Sequence, residues 1–540
     1  MKRVLLVAPE FRAPVWDIRS LPFLQKKTLM VPLQLATIAG LTPNNIEVDL
    51  WVEELHGRIE DSSDFNKEYD LVGITGYTVH LRRVKEIAQV FRKRKVPIAI
   101  GGIGASSMPE RYRHLADVLF VGEAELTWPR FVADWEAGHY RHEYVQTKKP
   151  DLTISPIPKW DGVADHMEEC AWGAVQTTRG CPFNCEFCDV VHLHGRRPRQ
   201  KPIEKVLMEV SVLQRLGMQT IFFCDDNFIG NPRYAQALLR ELISLNRSFR
   251  SPLAFSTQLS IDVAKNETLL ELLADANFEG LFVGIETPNI DSLIEANKRQ
   301  NVKRDLIIDC KRVMSYGMPI VAFMIVGFDH DTLEIFDQQF EFQQEALIPI
   351  SMTNLLKAPE GTRLWSRLLK EGRLLDIDKG LYDDQGFFSR DTQGASNIIP
   401  KRMSRAELSS GYVHLAERVY NWDNFAARVM DFISNVRRQP EVEQEKDQEQ
   451  NYSIAGYSDF SAFISSLDEK AQSAISSILL HTLQHAPFMM RKVLGLIGQQ
   501  YLGTINLPFQ RDAMLRQIQF EESVDMRHFV AKPEIPMAQR

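Results

Sequence analysis

Read from its amino terminus, the chain alternates short apolar runs with longer stretches whose apolar residues recur every three or four positions. Residues 3–9 (RVLLVAP), 47–52 (EVDLWV), 71–76 (LVGITG), 97–101 (PIAIG) and 118–122 (VLFVG) are brief and rich in β-branched residues, which predicts strands. Between them, 81–94 (LRRVKEIAQVFRKR) has helical spacing. Strands alternating with helices predict an α/β unit over residues 1–144, a doubly wound, Rossmann-like parallel sheet. Three of the runs end in glycine: Gly73 and Gly76, then Gly101, Gly102 and Gly104, then Gly122 before Glu123. In such sheets ligands lie beyond the carboxyl ends of the strands, where a missing side chain lets a large ligand approach the backbone; the same glycines would also serve as plain turns.

A connector rich in proline and charge, 145–166, interrupts the pattern. A second βα series over 167–398 has strand candidates at 173–178, 220–224, 253–260, 281–286, 320–327 and 351–357, with helices such as 203–216 and 231–245 between them. Six such units predict a partial (β/α)6 barrel related to the TIM barrel, with its chemistry at the carboxyl ends of the strands. Residues 399–540 read as a helical domain in which the acidic run 440–450 (PEVEQEKDQEQ) is a solvated linker. The apolar segment 473–490 (SAISSILLHTLQHAPFMM) carries histidines and a proline and is followed by Arg491 and Lys492, so it reads as packing helices.

Composition narrows the function classes. A net charge of −8 gives no general attraction to nucleic acid, so a nucleic-acid partner is not expected. The apolar run in MKRVLLVAPE is too short for a signal-peptide core, and no stretch approaches the roughly 20 apolar residues of a membrane span. The expected compartment is the reducing cytoplasm, with disulfides not expected and peripheral membrane contact left open.

Against that background, three of the six cysteines fall within eight positions: Cys181, Cys185 and Cys188, spaced CxxxCxxC. A structural zinc site takes four ligands, and no second CxxC exists in the chain. His192 and His194 stand nearby as a conceivable fourth ligand or as ordinary loop residues. A compact three-thiolate loop suits a 4Fe-4S cluster with one iron left open, which is a place for substrate chemistry. Cys170, Cys224 and Cys310 are isolated and read as small buried hydrophobes, with Cys224 in FFCDDNF the nearest to the strand ends.

The stretch TRGCPFNCEFC resembles the signature of the radical S-adenosylmethionine superfamily. IFFCDDNFIGN (221–231), FSTQLS (255–260), FVGIETPN (282–289), MIVGFDHDT (324–332) and LLKAPEGTRLW (355–365) resemble successive strand ends of its cobalamin-binding branch. GGIGAS, VGEAELT and VPLQLATIAGL resemble that branch's cobalamin-binding domain, and the helical carboxyl-terminal third is similar to the extension of hopanoid C-2 methylases and bacteriochlorophyllide methyltransferases. No DxHxxG motif is present, so the resemblance implies cobalamin held without a protein histidine on cobalt.

The resemblance implies three cofactors: a 4Fe-4S cluster on Cys181, Cys185 and Cys188, S-adenosylmethionine chelated by the open iron, and cobalamin. Cofactor contacts are expected from Gly73, Thr75, Tyr77, Thr78, Gly101, Gly102, Gly122 and Glu123 in the first unit. Asp225, Asp226, Asn227, Gln258, Ser260 and Glu286 are the candidates in the second, with a helix-capping turn and a structural salt bridge as the plain alternatives for the aspartates and Glu286. Arginines of GRRPR (195–199) either neutralise the adenosylmethionine carboxylate or are solvated. Gly327 and Gly361 suggest close backbone approach, Asp329 faces substrate, and Asp331 either faces substrate or caps a helix. No side chain is assigned a catalytic role. The implied activity is methyl transfer to an unactivated carbon of a small molecule, plausibly a lipophilic polycycle, with a flavodoxin- or ferredoxin-like low-potential electron donor as partner. The alternatives are a cyclisation or rearrangement on the same cofactors, and a non-catalytic cobalamin or iron–sulfur sensor.

Overall fold

The computed structural model describes residues 1–10, 17–21, 23–381, 396–438 and 454–532. The acidic run 440–450 lies outside them. In chain order the strands are β1 (Lys2–Ala8), β2 (Thr28–Met30), β3 (Ile46–Val52), β4 (Leu71–Thr75), β5 (Ile98–Gly101), β6 (Val118–Val121), β7 (Glu143–Val145) and β8 (Cys170–Val175). There follow β9 (Thr178–Arg179), β10 (Arg199–Gln200), β11 (Thr220–Phe223), β12 (Ala254–Leu259), β13 (Phe278–Glu286), β14 (Ile320–Val326) and β15 (Ile350–Leu355).

The first sheet is parallel throughout, in the order β3-β1-β4-β5-β6-β7. It is covered on both faces: Val4, Leu6 and Ala8 of β1 join one apolar cluster with the helices Leu33–Leu41 and Ala124–Glu136, while Leu5 and Val7 join another with the helix Leu81–Lys93. Helix Leu81–Lys93 forms because Val84, Ile87, Ala88 and Phe91 recur on one face, and all four are buried. The strand order reverses between β1 and β4, so the loops following these two strands part and open a crevice at their carboxyl ends.

The second sheet, β15-β14-β13-β12-β11-β8-β2, is also parallel and curls into an open half-barrel. Its six expected strands are present, with the first beginning at Cys170 rather than at 173. A seventh was not expected. Strand β2, from the segment following β1, pairs with β8 through Thr28↔Cys170 and Met30↔Trp172, so the amino-terminal segment lends one strand to the second sheet. Three residues between loops give too short a periodic signal to read, and only the exposed edge of β8 makes them a strand.

Helices Arg405–Val419 and Met490–Ser523 pack beside the β15 edge, Trp422–Asn435 lies on the helix Leu306–Met314, and Glu469–His485 packs on Trp422–Asn435. The apolar segment 473–490 is split as expected: its helix ends at His485 and the chain turns through Pro487–Met489 into the next helix. Phe23, from the segment between β1 and β2, packs on Phe463 with ring centroids 4.8 Å apart, and Phe463 meets Tyr501 at 4.9 Å. The excursion after β1 thus touches the barrel and the carboxyl-terminal helices alike. Among the described residues, no helix is long and apolar enough to cross a membrane.

Candidate active site

The cysteine loop leaves the barrel through β9 and Gly180, whose φ of +99° lies in the left-handed region. A Cβ there would also stand 2.9 Å from the carbonyl oxygens of Arg197 and Gly195, so this position requires glycine. The loop is then bolted down by backbone bonds: Cys181 N–H to Gly195 O (3.2 Å), Glu186 N–H to Ala296 O (2.8 Å) and Leu364 N–H to Glu186 O (3.1 Å). Glu186, between the second and third cysteines, is buried and accepts two bonds from Arg367, at 2.8 and 3.0 Å. The other side of Arg367 reaches Asp329 at 2.8 Å, and Arg373 also bonds Asp329. These guanidiniums outweigh burial and hold Asp329 down at about 2.

Cys185 is buried, and Cys181 and Cys188 are half-buried. Burial pushes the thiols of Cys181 and Cys188 up, while N–H groups of Phe183 and Asn227 on Cys181, and of Val190 on Cys188, act in the opposite direction. Asn227 Nδ2 lies 3.9 Å from Cys181 Sγ and Gln300 Nε2 lies 3.7 Å from Cys185 Sγ. Lys298 supplies a buried ammonium. Desolvation alone would lower its pKa, but Glu286, at 2.5 Å, and the sulfurs of Cys185 and Cys188 hold it above the ordinary value. N–H donors aimed at sulfur and a nearby fixed cation are what thiolate ligands of an iron–sulfur cluster require. Among the described residues, no three Cys, His, Asp or Glu side chains converge as on a single ion. Three thiolates on one short loop, with N–H donors on two of the sulfurs and a fixed cation beside them, are a donor set that fits a 4Fe-4S cluster.

Several expected site residues meet here. Ser260 donates from its backbone to Asn227 Oδ1 (3.3 Å) and accepts from Asn227 Nδ2 (3.1 Å), which places both beside Cys181. Glu286 ends β13 with φ +70°, a left-handed conformation rare for a residue with a long side chain, and its carboxylate is engaged by Lys298. Gln258 is exposed on the hollow side of β12, its register partner Phe282.

Other expected residues are engaged by protein partners. Asp225 is buried and accepts from Thr177 N–H (2.7 Å), Thr178 Oγ1 (2.9 Å) and Thr177 Oγ1, tying β11 to the end of β8. Asp226 accepts from Gly180 N–H (2.6 Å) and pairs with His194 Nδ1 (2.9 Å), so both the aspartate and the histidine position the cysteine loop. Asp329 is spent on Arg367 and Arg373. Asp331 accepts from Ser292 Oγ, Gly327 N–H and Phe328 N–H, closing the turn after β14 instead of capping the next helix, and burial raises its pKa to about 6. Gly327 and Gly361 approach Leu408 and His192, both protein atoms. Arg196 and Arg197 are exposed, and Arg199 points to Glu123.

Glu123 is held by arginines of the second unit. Its carboxylate accepts two bonds from Arg199 (2.7 and 2.8 Å) and one from Arg179 (2.8 Å), and Arg179 also pairs with Glu125 at 2.7 Å. Arg179 stands two residues before Cys181. The side chain expected to touch cobalamin thus fastens the rim of the first sheet to the cysteine loop of the second. At that rim a Cβ added at Gly102, whose φ is +95°, would stand 2.5 Å from Thr75 Oγ1, and the loops after β4 and β5 interlock through Gly104 N–H to Gly76 O at 2.9 Å. Gly73, Gly101 and Gly122 lie against Leu6, Phe120 and Gln146. Thr78 begins the short helical turn after Tyr77. Tyr77 stands on this backbone rim with its side chain 48% exposed, and burial of its hydroxyl end, followed by Cys224 across the gap, pushes the phenol up to about 12. Cys224 is itself pushed up to about 12 by burial and lies 3.6 Å from Met30 Sδ. The two sets of strand ends therefore face each other. Cys170 and Cys310 are buried, as expected of small hydrophobes.

Sequence reading missed the hollow face of the barrel. Trp172, Phe222, Phe282 and Phe323 form a continuous row across β8, β11, β13 and β14, with successive ring centroids 5.3, 5.3 and 6.1 Å apart. Alternation along these strands carried the signal, but it shows only once the inner face is known. Lys298, Gln300, Arg179 and Arg367 were missed too, as lone residues with no motif.

Known proteins bear on this geometry. The Radical SAM superfamily matches residues 175–342, the B12 binding domain matches 27–132, and a domain of unknown function matches 362–497. An uncharacterized methyltransferase of Synechocystis sp. is 34% identical over 78% of this chain and 76% of its own length. Hopanoid C-2 methylase of Rhodopseudomonas palustris is 31% identical over 70% of this chain and 72% of its own. In fold, the chain is similar to the cobalamin-dependent S-adenosylmethionine radical enzyme OxsB, solved with aqua-cobalamin and S-adenosylmethionine, at a TM-score of 0.60 and 15% identity over 98% of this chain and 85% of that one.

Proposed function

Because the chain belongs to the cobalamin-dependent radical S-adenosylmethionine methyltransferase family, we propose that it methylates an unactivated carbon of a lipophilic polycyclic small molecule. The observation that carries the substrate class is the aromatic row Trp172, Phe222, Phe282 and Phe323 on the hollow side of the barrel, flanked at matching register by Met30 and Met352. A half-open apolar wall beside charged strand ends suits a large apolar acceptor, which would bury against it. Likeness to a hopanoid methylase supports the same class.

When bound, the cluster supplies the electron that cleaves the sulfonium, and cobalamin carries the methyl group. Cys181, Cys185 and Cys188 would hold the cluster, with Asn227 and Gln300 donating to sulfur. Lys298, Glu286, Ser260 and Gln258 are placed to orient adenosylmethionine. The backbone rim at Gly73, Thr75, Tyr77, Thr78, Gly101, Gly102 and Gly122 is the proposed cobalamin seat. In this reading residues 1–144 without β2 form the cobalamin unit, 145–166 a connector, 167–398 with β2 the radical unit and 399–540 its helical cover. A small low-potential protein, flavodoxin- or ferredoxin-like, supplies electrons, and the reducing cytoplasm is the compartment that suits this chemistry.

The test is anaerobic reconstitution followed by incubation with methyl-labelled adenosylmethionine, a chemical reductant and hopanoid or tetrapyrrole acceptors. Labelled acceptor together with deoxyadenosine is expected. Deoxyadenosine with label in no product would replace methyl transfer by a rearrangement, and absence of any cleavage would leave a binding protein.

A further inference from the structure

Against the cysteine loop lies a polar cleft of about 320 Å³ lined by Pro182, Phe183, Asn184, Asn297 and Gln300, with Arg196, Arg299 and Arg363 around it. Pro182, Phe183 and Asn184 are the residues between the first two cysteines. Gln300, on the opposite wall, reaches Cys185 Sγ at 3.7 Å. A single side chain thus separates this surface from a cluster ligand. All three arginines are exposed. Arg196 donates to Pro182 O (3.1 Å) and Arg299 to Asn297 Oδ1 (2.8 Å), and none of the three pairs with a carboxylate among the described residues. Arg179, Arg199, Arg367 and Arg373, by contrast, are each neutralised by glutamate or aspartate. In a chain of net charge −8, an uncompensated triad of guanidiniums is a local reversal of sign. The helix Ile290–Glu295, which runs into this rim, also exposes Ile290 and Ile294, each 58% accessible.

From this geometry we infer that the cleft is the docking surface for an acidic one-electron carrier protein, an inference that rests on the cluster-bearing reading above. The transfer moves one electron and nothing else: the reduced flavin or iron–sulfur carrier is oxidised by one electron, the centre held by the three cysteines is reduced by one, and no bond or proton changes place. Electron transfer weakens steeply with distance, and a partner on this face stands one side chain, Gln300, away from Cys185 Sγ. Arginines beside isolated apolar side chains suit the small, transient contacts of redox encounters, and like charge would repel cationic partners.

The experiment compares the reconstituted full chain with the variant R196E/R299E/R363E, following bleaching of the cluster absorbance by stopped flow. Two reductants are used, a reduced acidic flavodoxin and titanium(III) citrate. Reduction by flavodoxin should fall by about 10- to 100-fold at low ionic strength in the variant, and the wild-type rate should fall as salt is added. Reduction by titanium(III) citrate should be unchanged. The neutral variant R299Q/R363Q guards against misfolding and should show an intermediate loss. Equal flavodoxin rates in variant and wild type would overturn the inference while leaving the functional reading intact, and so would equal losses with both reductants. Self-association through this cleft, seen as a dimer abolished in the variant with donor rates unaltered, would assign it to a second copy instead. A wild-type chain with no reducible cluster would overturn the functional reading and this inference together.

Discussion

The two parallel sheets of this chain end their strands in opposite materials. At the first, the loops after β4 and β5 interlock through Gly76, Gly102 and Gly104, leaving a rim of backbone and short side chains from which Tyr77 stands out. At the second, the strand ends carry thiols, the buried Lys298–Glu286 pair and the carboxylates of Asp225 and Asp226. One rim clears space for a broad ligand, while the other fixes charges around a reactive centre. Their difference teaches where precision is needed: the second sheet holds a residue with a long side chain, Glu286, in a left-handed conformation, and the first assigns such backbone at its rim to glycine.

The comparison breaks most completely with two reciprocal substitutions. Cys185→Ala should abolish cluster incorporation and deoxyadenosine formation while cobalamin binding survives, as read by iron content and cobalamin absorbance. Gly102→Val should do the reverse, because a β-branched residue is strained at φ +95° and its Cβ would meet Thr75 Oγ1 at 2.5 Å. A smaller effect is expected where the two rims join. Glu123→Gln weakens the bonds to Arg179 and Arg199, so methylated product per deoxyadenosine should drop about 10-fold, since small displacements of reacting centres cost that much or more. Deoxyadenosine formation itself should change less. Phe323→Ala should raise KM for a lipophilic acceptor by about 10-fold with adenosylmethionine cleavage retained, because one aromatic wall contact is lost. The least effect on activity is expected from Asp331, which is wholly buried and closes the turn after β14. Its folded-state pKa, raised to about 6, lies above the unfolded value near 4, so its contribution to stability is present below about pH 4 and lost as pH rises through 6. Denaturant titrations across that window should show a decline that Asp331→Asn removes.

Much of this was legible without coordinates, and for a common reason. Cys181, Cys185 and Cys188 are near in sequence because one loop must present them together, and Gly73, Gly101, Gly102 and Gly122 mark strand ends because such runs are continuous. Asn227, Ser260 and Glu286 were locatable as residues at the ends of strands. What those ends do was not legible. Asp225 and Asp226 accept from Thr177, Thr178, Gly180 and His194, partners 32 to 48 residues away that no motif announces. The partners of Glu123 lie 56 and 76 residues away.

By itself the sequence determined the local periodicities, and with them two βα series and a helical end, together with the spacing of the three thiols. Those are properties of neighbours along the chain, set by backbone geometry and by which residues it lets share a face. Only the tertiary structure decided that β2 crosses to the barrel, that Arg179 and Arg199 clamp Glu123, that Arg367 steadies Glu186, and that Trp172, Phe222, Phe282 and Phe323 meet in one row. An ion pair or an aromatic contact depends on distance in space, and curling a sheet brings together residues that no sequence interval relates.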